Sequence, residues 1–414
     1  MSDTITTLPA GLATPEHRTE IIKALIFDNF GRKANTSYLP SPLGRDSNNF
    51  VHLVDLAEAI GHDETNTSAS QPGTAKLDSS VIKVVVRLSN PNAMIDEEVR
   101  VENEVAAISL VQKALISYPC KIVPKVFAWQ GSKQGLGWIV QEYLHGEQLS
   151  LHFSDLQTDK KAVVLDQVAE IFKMIQSFQH GVEGFGGLGF DGKGSVVAGR
   201  SSLWSVGPFS TYAEMYQAIF AKQLEVTQVT PLLDGWKGTG LRERLQRFST
   251  SGGFANLLAH TGDIQPTLVH RDFENILINP DTLQITGLLD FDFSHIASPA
   301  DEYFYSFPSF SGLVPGPFED EDLQLLRRYQ TEGKSVDWTV ARLWQAALEK
   351  HHVASPKDID NIAELADIYW FLLDVCPPFF NLPRWLARKT NEQKLAAKKA
   401  IGENLDRHLR RWGY

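Results

Sequence analysis

The 414-residue chain exceeds the ~250–300 residues at which single hydrophobic cores stop growing, so two lobes or domains are expected. Apolar residues make up 43% and charged residues 21%, enough to outweigh the entropy of ordering the chain, which excludes a disordered protein. The formal net charge of −11 excludes the broad positive field that holds a nucleic-acid backbone, and two cysteines without metal-ligand spacing, Cys120 and Cys376, exclude a disulfide framework and a structural zinc site.

Residues 1–19 form a polar leader without the basic-then-apolar order of a secretory signal, and no run approaches the ~18 apolar residues of a membrane span. A cytoplasmic protein with no membrane partner is expected. Glu20 to Phe30 has helical apolar spacing at Ile21, Ile22, Leu25 and Ile26. Strands follow at Phe50 to Leu56 and Val81 to Leu88, separated by residues 61–80, a Ser/Thr/Asn/Asp/Gly stretch read as a mobile insertion in a hairpin. Glu97 to Ile116 carries Val101, Val105, Ile108, Val111 and Leu115 at steps of three and four and is expected as a long helix. Strands at Val123 to Trp129 and Gly137 to Tyr143 complete a smaller lobe over residues 20–142.

The remainder, 143–414, is expected to be mainly helical: Lys160 to Phe178, Thr211 to Glu225, Leu241 to His260, Leu323 to Lys350, Ile359 to Val375 and Glu392 to Arg411. The very apolar segment ending at Pro377-Pro378 is too short to span a bilayer and is read as a buried helix stopped by proline. Gly333-Lys334-Ser335 lacks the upstream glycine of a P-loop and is read as a turn.

One β-rich stretch interrupts this half, Thr267 to Phe293. Ile276 to Ile278 reads as a strand, Asn279-Pro280-Asp281-Thr282 as a turn, and Gln284 to Leu289 as the returning strand. A hairpin brings its open ends together, so Asn275 and Asp290 stand side by side, with Asp272 three residues further back. Two carboxylates and an amide oxygen make a hard, oxygen-only environment suited to Mg²⁺ and substrate phosphates, and Asp272 is placed to take the proton of an incoming hydroxyl.

His270-Arg271-Asp272, Asn275, Leu289-Asp290-Phe291-Asp292 and Asp301 after Ser298-Pro299-Ala300 resemble the aminoglycoside phosphotransferase-like family, which includes choline kinases and many microbial and fungal enzymes. The resemblance implies a two-lobed α+β fold of the protein-kinase type, with a small antiparallel-sheet lobe carrying one long helix and a larger helical lobe. It implies Asp272 as catalytic base, Asn275 and Asp290 as Mg²⁺ ligands, Asp301 as a structural carboxylate, ATP as the phosphate donor and a small molecule as acceptor. The family places five residue steps between base and asparagine, whereas Asp272 to Asn275 is three. Either Asn275 binds metal from a tighter turn, or Glu274 takes its place.

A kinase-like small lobe needs a basic side chain on the strand before the long helix and a glutamate on that helix to hold it. Lys83 and Arg87 share one strand face, so alternation leaves both open. The resemblance favours Arg87, with Glu104 as its partner, and likens Glu142-Tyr143-Leu144 to the linker whose backbone binds adenine, so Glu142 and Leu144 are candidates there. Gly44 to Asn49 is where a phosphate-covering turn belongs. The expected activity is Mg-dependent transfer of the ATP γ-phosphate to a hydroxyl, less readily an amine, of a small molecule. The alternative is a degenerate relative that binds nucleotide or metabolite without transfer. Asp-Phe-Asp in place of Asp-Phe-Gly, with no following Ala-Pro-Glu, argues against protein substrates.

Overall fold

The computed structural model describes residues 14–39, 48–57, 71–90, 93, 96–132, 136–262, 264–320, 323–324 and 337–414. Helix α1 (Pro15–Phe30) starts where the Thr14 hydroxyl accepts the His17 amide and ends where Gly31 turns left-handed. Helix therefore begins inside the expected leader 1–19.

Among the described residues the small lobe is an antiparallel five-stranded sheet. Its strands are β1 (Ala34–Leu39), β2 (Asn49–Leu56), β3 (Lys83–Ser89), β4 (Val126–Gln130) and β5 (Trp138–Glu142), in the order β1-β2-β3-β5-β4. Four of these answer expected strands. The first does not, because Ala-Asn-Thr-Ser-Tyr-Leu lacks apolar alternation and is ordered by its pairing with β2. Val84, Val86 and Leu88 of β3 pack toward Ile22 and Ile26 of α1. The opposite parity sends Arg87 and Ser89 to α2 (Glu97–Ala114), where they meet Glu104 and Arg100.

Part of the expected mobile insertion 61–80 is corrected by the structure. Residues 58–70 lie outside those described, but residues 71–75 are tied to β4. Gln71 Nε2 donates to the Trp129 carbonyl at 2.9 Å, Trp129 Nε1 to the Pro72 carbonyl at 2.9 Å, and the Ala75 amide to the Val126 carbonyl at 2.8 Å. A polar composition does not prevent order when backbone groups extend a sheet edge. The Gly44–Ser47 part of the expected phosphate-covering turn and Gly333-Lys334-Ser335 also lie outside the described residues.

After β6 (Glu147–Gln148) and α3 (Thr158–Gln176), the glycine-rich segment forms a hairpin of β7 (Gly187–Phe190) and β8 (Val196–Gly199). It covers α2: the Leu188 amide donates to Asn103 Oδ1 at 2.7 Å and the Phe190 amide to Glu102 Oε1 at 2.9 Å. Gly187 has no room for a side chain, since a Cβ would lie 2.3 Å from the Arg200 carbonyl oxygen.

Helix α4 (Tyr212–Val229) opens with a Thr211–Glu214 capping box. The single helix expected over Leu241 to His260 is instead two, α5 (Leu241–Thr250) and α6 (Gly253–Leu258), divided at left-handed Gly252. Strands β9 (Thr267–Val269), β10 (Ile276–Ile278), β11 (Ile285–Leu288) and β12 (His295–Ala297) then carry the central loops, β9 pairing with β12 and β10 with β11 and β6. The rest comprises α7 (Ala300–Tyr303), α8 (Thr339–Lys350), α9 (Ile362–Val375), α10 (Pro383–Arg388) and α11 (Asn391–Arg411). Most of 323–338, expected to begin the α8 helix, falls outside the described residues. One continuous core joins Val101, Val105 and Ile108 of α2 to Phe172 of α3, Phe371 of α9 and Leu405 of α11. Among the described residues no helix is long and apolar enough to cross a membrane.

Candidate active site

The β10–β11 hairpin forms because Asn279 Oδ1 accepts the amides of Asp281 and Thr282, at 3.0 and 3.1 Å, closing the turn. At its open end the Leu289 amide donates to the Asn275 carbonyl at 2.9 Å, which brings Asp290 beside the 272–275 loop. Asp290 leaves the strand with a left-handed backbone (φ 65°).

The loop from β9 is held from below. Glu302 accepts the His270 and Arg271 amides at 2.7 and 2.8 Å and the Ser306 hydroxyl, while Ser306 Oγ accepts the Phe273 amide at 3.1 Å. These bonds fix Arg271 at φ 71°, a conformation costing an ordinary L-residue about 1–2 kcal/mol. His270 Nδ1 accepts the Asp272 amide at 3.2 Å, and burial pushes the imidazole pKa down to about 3, leaving it neutral.

Above the loop lies a carboxylate–guanidinium cluster. Arg87 bonds Glu104, meets Asp290 Oδ1 at 2.8 Å and stands 3.4 Å from Asp292 Oδ1. Arg100, one turn before Glu104, meets Asp292 Oδ1 at 3.1 Å and also bonds Glu97 and Ser89. Asn49 Nδ2 donates to Asp292 Oδ2 at 3.1 Å. Oxygens of Glu104, Asp290 and Asp292 lie within 4.8 Å of one another, three carboxylates against two guanidiniums. This oxygen-only set, with acid in excess, suits a hard divalent cation. Asp290 has a side chain 37% exposed, against 0% for Glu104 and Asp292, so the cluster opens to solvent there.

The carboxylates are electrostatically unequal. Burial raises the Asp272 pKa to about 7, helped by the charge of Asp290 and opposed by Asn275. Burial and then the charge of Asp292 raise Asp290, opposed by Arg87. Burial also disfavours ionised Asp292, but Arg100 and Arg87 outweigh it and hold that group below the usual carboxylate range.

The candidates divide accordingly. Arg87, Glu104, Asp290 and Asp272 converge. Lys83, at the far end of β3 about 13 Å along the strand, instead pairs with Asp55 Oδ1 at 3.6 Å near the surface. Parity could not separate the two because depth along the strand, not face, distinguishes them. Lys83→Ala is expected to leave nucleotide affinity within about twofold, since exposed pairs contribute ~0–1 kcal/mol; a tenfold loss by calorimetry would return Lys83 to the site. Glu142 Oε2 accepts the Lys125 amide at 3.1 Å, bracing β4 against β5, and Leu144 lies between β5 and β6. Asn275 Nδ2 donates to the Asp272 carbonyl at 3.1 Å, so its amide is turned onto its own loop. Glu274 is engaged elsewhere, accepting the Ser309 amide and hydroxyl at 2.7 and 2.6 Å. Asp301 accepts the Tyr212 and Tyr216 hydroxyls at 2.6 and 3.2 Å deep in the large lobe.

Arg100, Glu302 and Ser306 were not singled out from the sequence; Asp292, quoted within the 289–292 motif, and Asn49, at the end of the expected phosphate-covering turn, were given no role in this cluster. A signal existed for Arg100, which with Glu97 and Glu104 lies on one helix side at spacings of three and four.

No curated protein matches the chain closely enough to count as a relative. Among solved structures, a thermostable mutant of aminoglycoside phosphotransferase APH(4)-Ia in complex with ADP and hygromycin B is similar at 14% identity and a TM-score of 0.47, over 95% of this chain and 98% of that one. The gentamicin complex of APH(2")-IIa is similar at 16% identity and a TM-score of 0.47, over 92% and 94%. ADP-bound APH(2'')-Ib is similar at 16% and 0.45, over 95% and 99%. A family model described as "Phosphotransferase enzyme family" matches residues 67–344, which takes in β3, α2 and the whole 270–302 constellation. Because that model matches well more than half of its length, the chain belongs to the phosphotransferase enzyme family.

Proposed function

We propose that this phosphotransferase moves the γ-phosphate of Mg·ATP to a hydroxyl of a small molecule, with Asp272 as the base. The observation that supports it most is a buried carboxyl with a pKa of about 7 beside an acid-rich cluster whose one open member is Asp290. A base with a pKa near the working pH combines an accessible proton-free form with useful basicity.

In this reading residues 20–142 act as the nucleotide lobe and 143–414 as the acceptor lobe, with adenine against the backbone of Glu142–Leu144. Arg87, steadied by Glu104, meets the donor's phosphate oxygens. Asp290, with Asp292 or a rotated Asn275 amide, would hold Mg²⁺, which neutralises charge on those oxygens when bound. The acceptor oxygen attacks the γ-phosphorus as the bond to the bridging oxygen breaks, ADP leaves, and the hydroxyl proton passes to Asp272. Arg100 and Arg87 keep Asp292 ionised, Asn49 orients it, and Glu302 holds the Asp272 loop in its unfavourable backbone conformation.

Asp290→Asn is expected to weaken binding of a non-hydrolysable ATP analogue at least tenfold in Mg²⁺ and to change it little in EDTA. Equal affinities of mutant and wild type in Mg²⁺ would remove Asp290 from the metal site. The binding-only alternative draws on the short Asp272–Asn275 spacing and the inward-turned amide. Nucleotide binding without ADP release across a panel of hydroxylated metabolites would favour it.

A further inference from the structure

Asn103 follows directly behind the carboxylate cluster on α2, one residue before Glu104. It makes no hydrogen bond to the acids themselves, yet it holds the chain that presents two of them. The side chain is fully buried. Its Oδ1 accepts the Leu188 amide of β7 at 2.7 Å, and its Nδ2 donates to the Ser294 carbonyl at 3.0 Å and, less closely, to the Asp292 carbonyl at 3.4 Å. These partners fix which way the amide points, because a backbone N–H meets only its oxygen and a carbonyl only its nitrogen.

The main chain held in this way is the turn that carries Asp290 and Asp292. Asp290 enters it left-handed, and the Ser294 amide closes it on the Phe291 carbonyl at 3.1 Å. A second donor meets the Asp292 carbonyl, the hydroxyl of buried Ser202 in the loop after β8. Ser202 is itself tied to the start of α2, its carbonyl accepting the Asp96 amide at 2.6 Å. Two side chains thus converge on one buried carbonyl, whose own carboxylate meets Arg100 and Asn49.

Glu104, the next residue on the helix, bonds Arg87. Successive positions of α2 therefore set the guanidinium and the acid-bearing turn relative to each other. A cation shared between carboxylate and phosphate oxygens depends on that spacing, and Mg²⁺ tolerates little departure from octahedral coordination.

We propose that Asn103 is a positioning residue for the metal site, fastening the 290–294 turn to α2 and to the β7–β8 hairpin so that Asp290 and Asp292 are already placed when the cation arrives. This rests on the reading of those two acids as the Mg²⁺ site. It also gives the glycine-rich hairpin a part in that site, since the Leu188 amide is what aims the Asn103 Nδ2 at the turn.

The test is calorimetric binding of a non-hydrolysable ATP analogue to the whole chain, once in EDTA and once in saturating Mg²⁺, so that the ratio of the two affinities measures what the cation adds. Asn103→Leu keeps a branched side chain without the polar atoms. It is expected to cut the ratio about tenfold, the scale for removing a group that orients metal ligands, with affinity in EDTA within about twofold of wild type. A role in stability alone would lower the melting temperature and leave the ratio of the folded variant unchanged, and that result would overturn the proposal. Ser202→Ala is expected to cut the ratio about threefold, the scale of one hydrogen bond. It decides alone should Asn103→Leu not fold, an unchanged ratio again counting against the turn being held for the metal. The wild type separates the two readings. A wild-type ratio near one removes the metal site and the role of Asn103 with it, whereas a raised wild-type ratio that persists in the variants removes only the role of Asn103.

Discussion

Asp272→Asn is expected to slow phosphoryl transfer by about 10²–10⁴-fold and, at pH 8, to raise the melting temperature of the unliganded protein. The first effect follows from loss of the proposed base; the second follows from where its proton sits. Burial lifts the folded-state pKa to about 7 from an ordinary 3.8, so the folded protein holds this proton more tightly than the unfolded chain. Stability from this group is therefore fully present below about pH 4, declines as pH rises through 7, and is flat above. About three pKa units correspond to roughly 4 kcal/mol as an upper order of magnitude. Asparagine carries no such penalty at any pH. Thermal unfolding at pH 5 and pH 8, with ADP release measured in parallel, checks both halves. A variant that is inactive but no more stable than wild type at pH 8 would show that Asp272 is not buried against its charge. In the wild type, kcat/KM for the acceptor is expected to rise about tenfold per unit below the Asp272 pKa and then level, with a cation at Asp290 drawing that inflection lower.

Arg87→Ala is expected to destabilise the protein by about 3–5 kcal/mol, the scale for stranding buried carboxylates without their counter-ion. Arg87 is the shared partner of Glu104, Asp290 and Asp292, so its removal leaves three acids with Arg100 alone. Two controls make the claim specific. Glu104→Gln in the Arg87→Ala background is expected to recover part of the loss, because the deepest uncompensated charge is then gone. Millimolar Mg²⁺ is expected to recover part of it as well, since a divalent cation can occupy an acid-rich cluster that opens at Asp290. Urea unfolding of the single and double mutants with and without Mg²⁺ measures all of this; a loss below ~1 kcal/mol would mean the ion pairs contribute no more than surface ones.

The parts of this fold readable from the chain were those coded locally. The 276–288 hairpin carries its own turn chemistry in Asn279 to Thr282, and its strands fall where alternation and turn residues put them. The long helix begins at Glu97 behind an Asp96 cap, and α9 stops before Pro377 as proline requires. What escaped was non-local. Strand β1 owes its existence to β2, the β7–β8 hairpin to α2, and residues 71–75 to the β4 edge. The site followed the same division: Asp272 and Asp290 belong to one contiguous motif, whereas Asn49, Arg100 and Glu302 reach it from 243, 192 and 32 residues away from the groups they bind. Asn275 was expected as a metal ligand beside Asp290, and the shortened loop turns its amide back onto the Asp272 carbonyl.

Helix α2 belongs to the small lobe by chain order, yet its apolar side is walled by α3 and the helices that follow, within one uninterrupted core. A gene fragment ending at Glu142 would therefore encode a sheet whose companion helix displays Val101, Val105 and Ile108 to solvent. Neither half is therefore expected to fold on its own. Recombining lobes between homologues would need the crossover to carry matching α2 and α3 surfaces together.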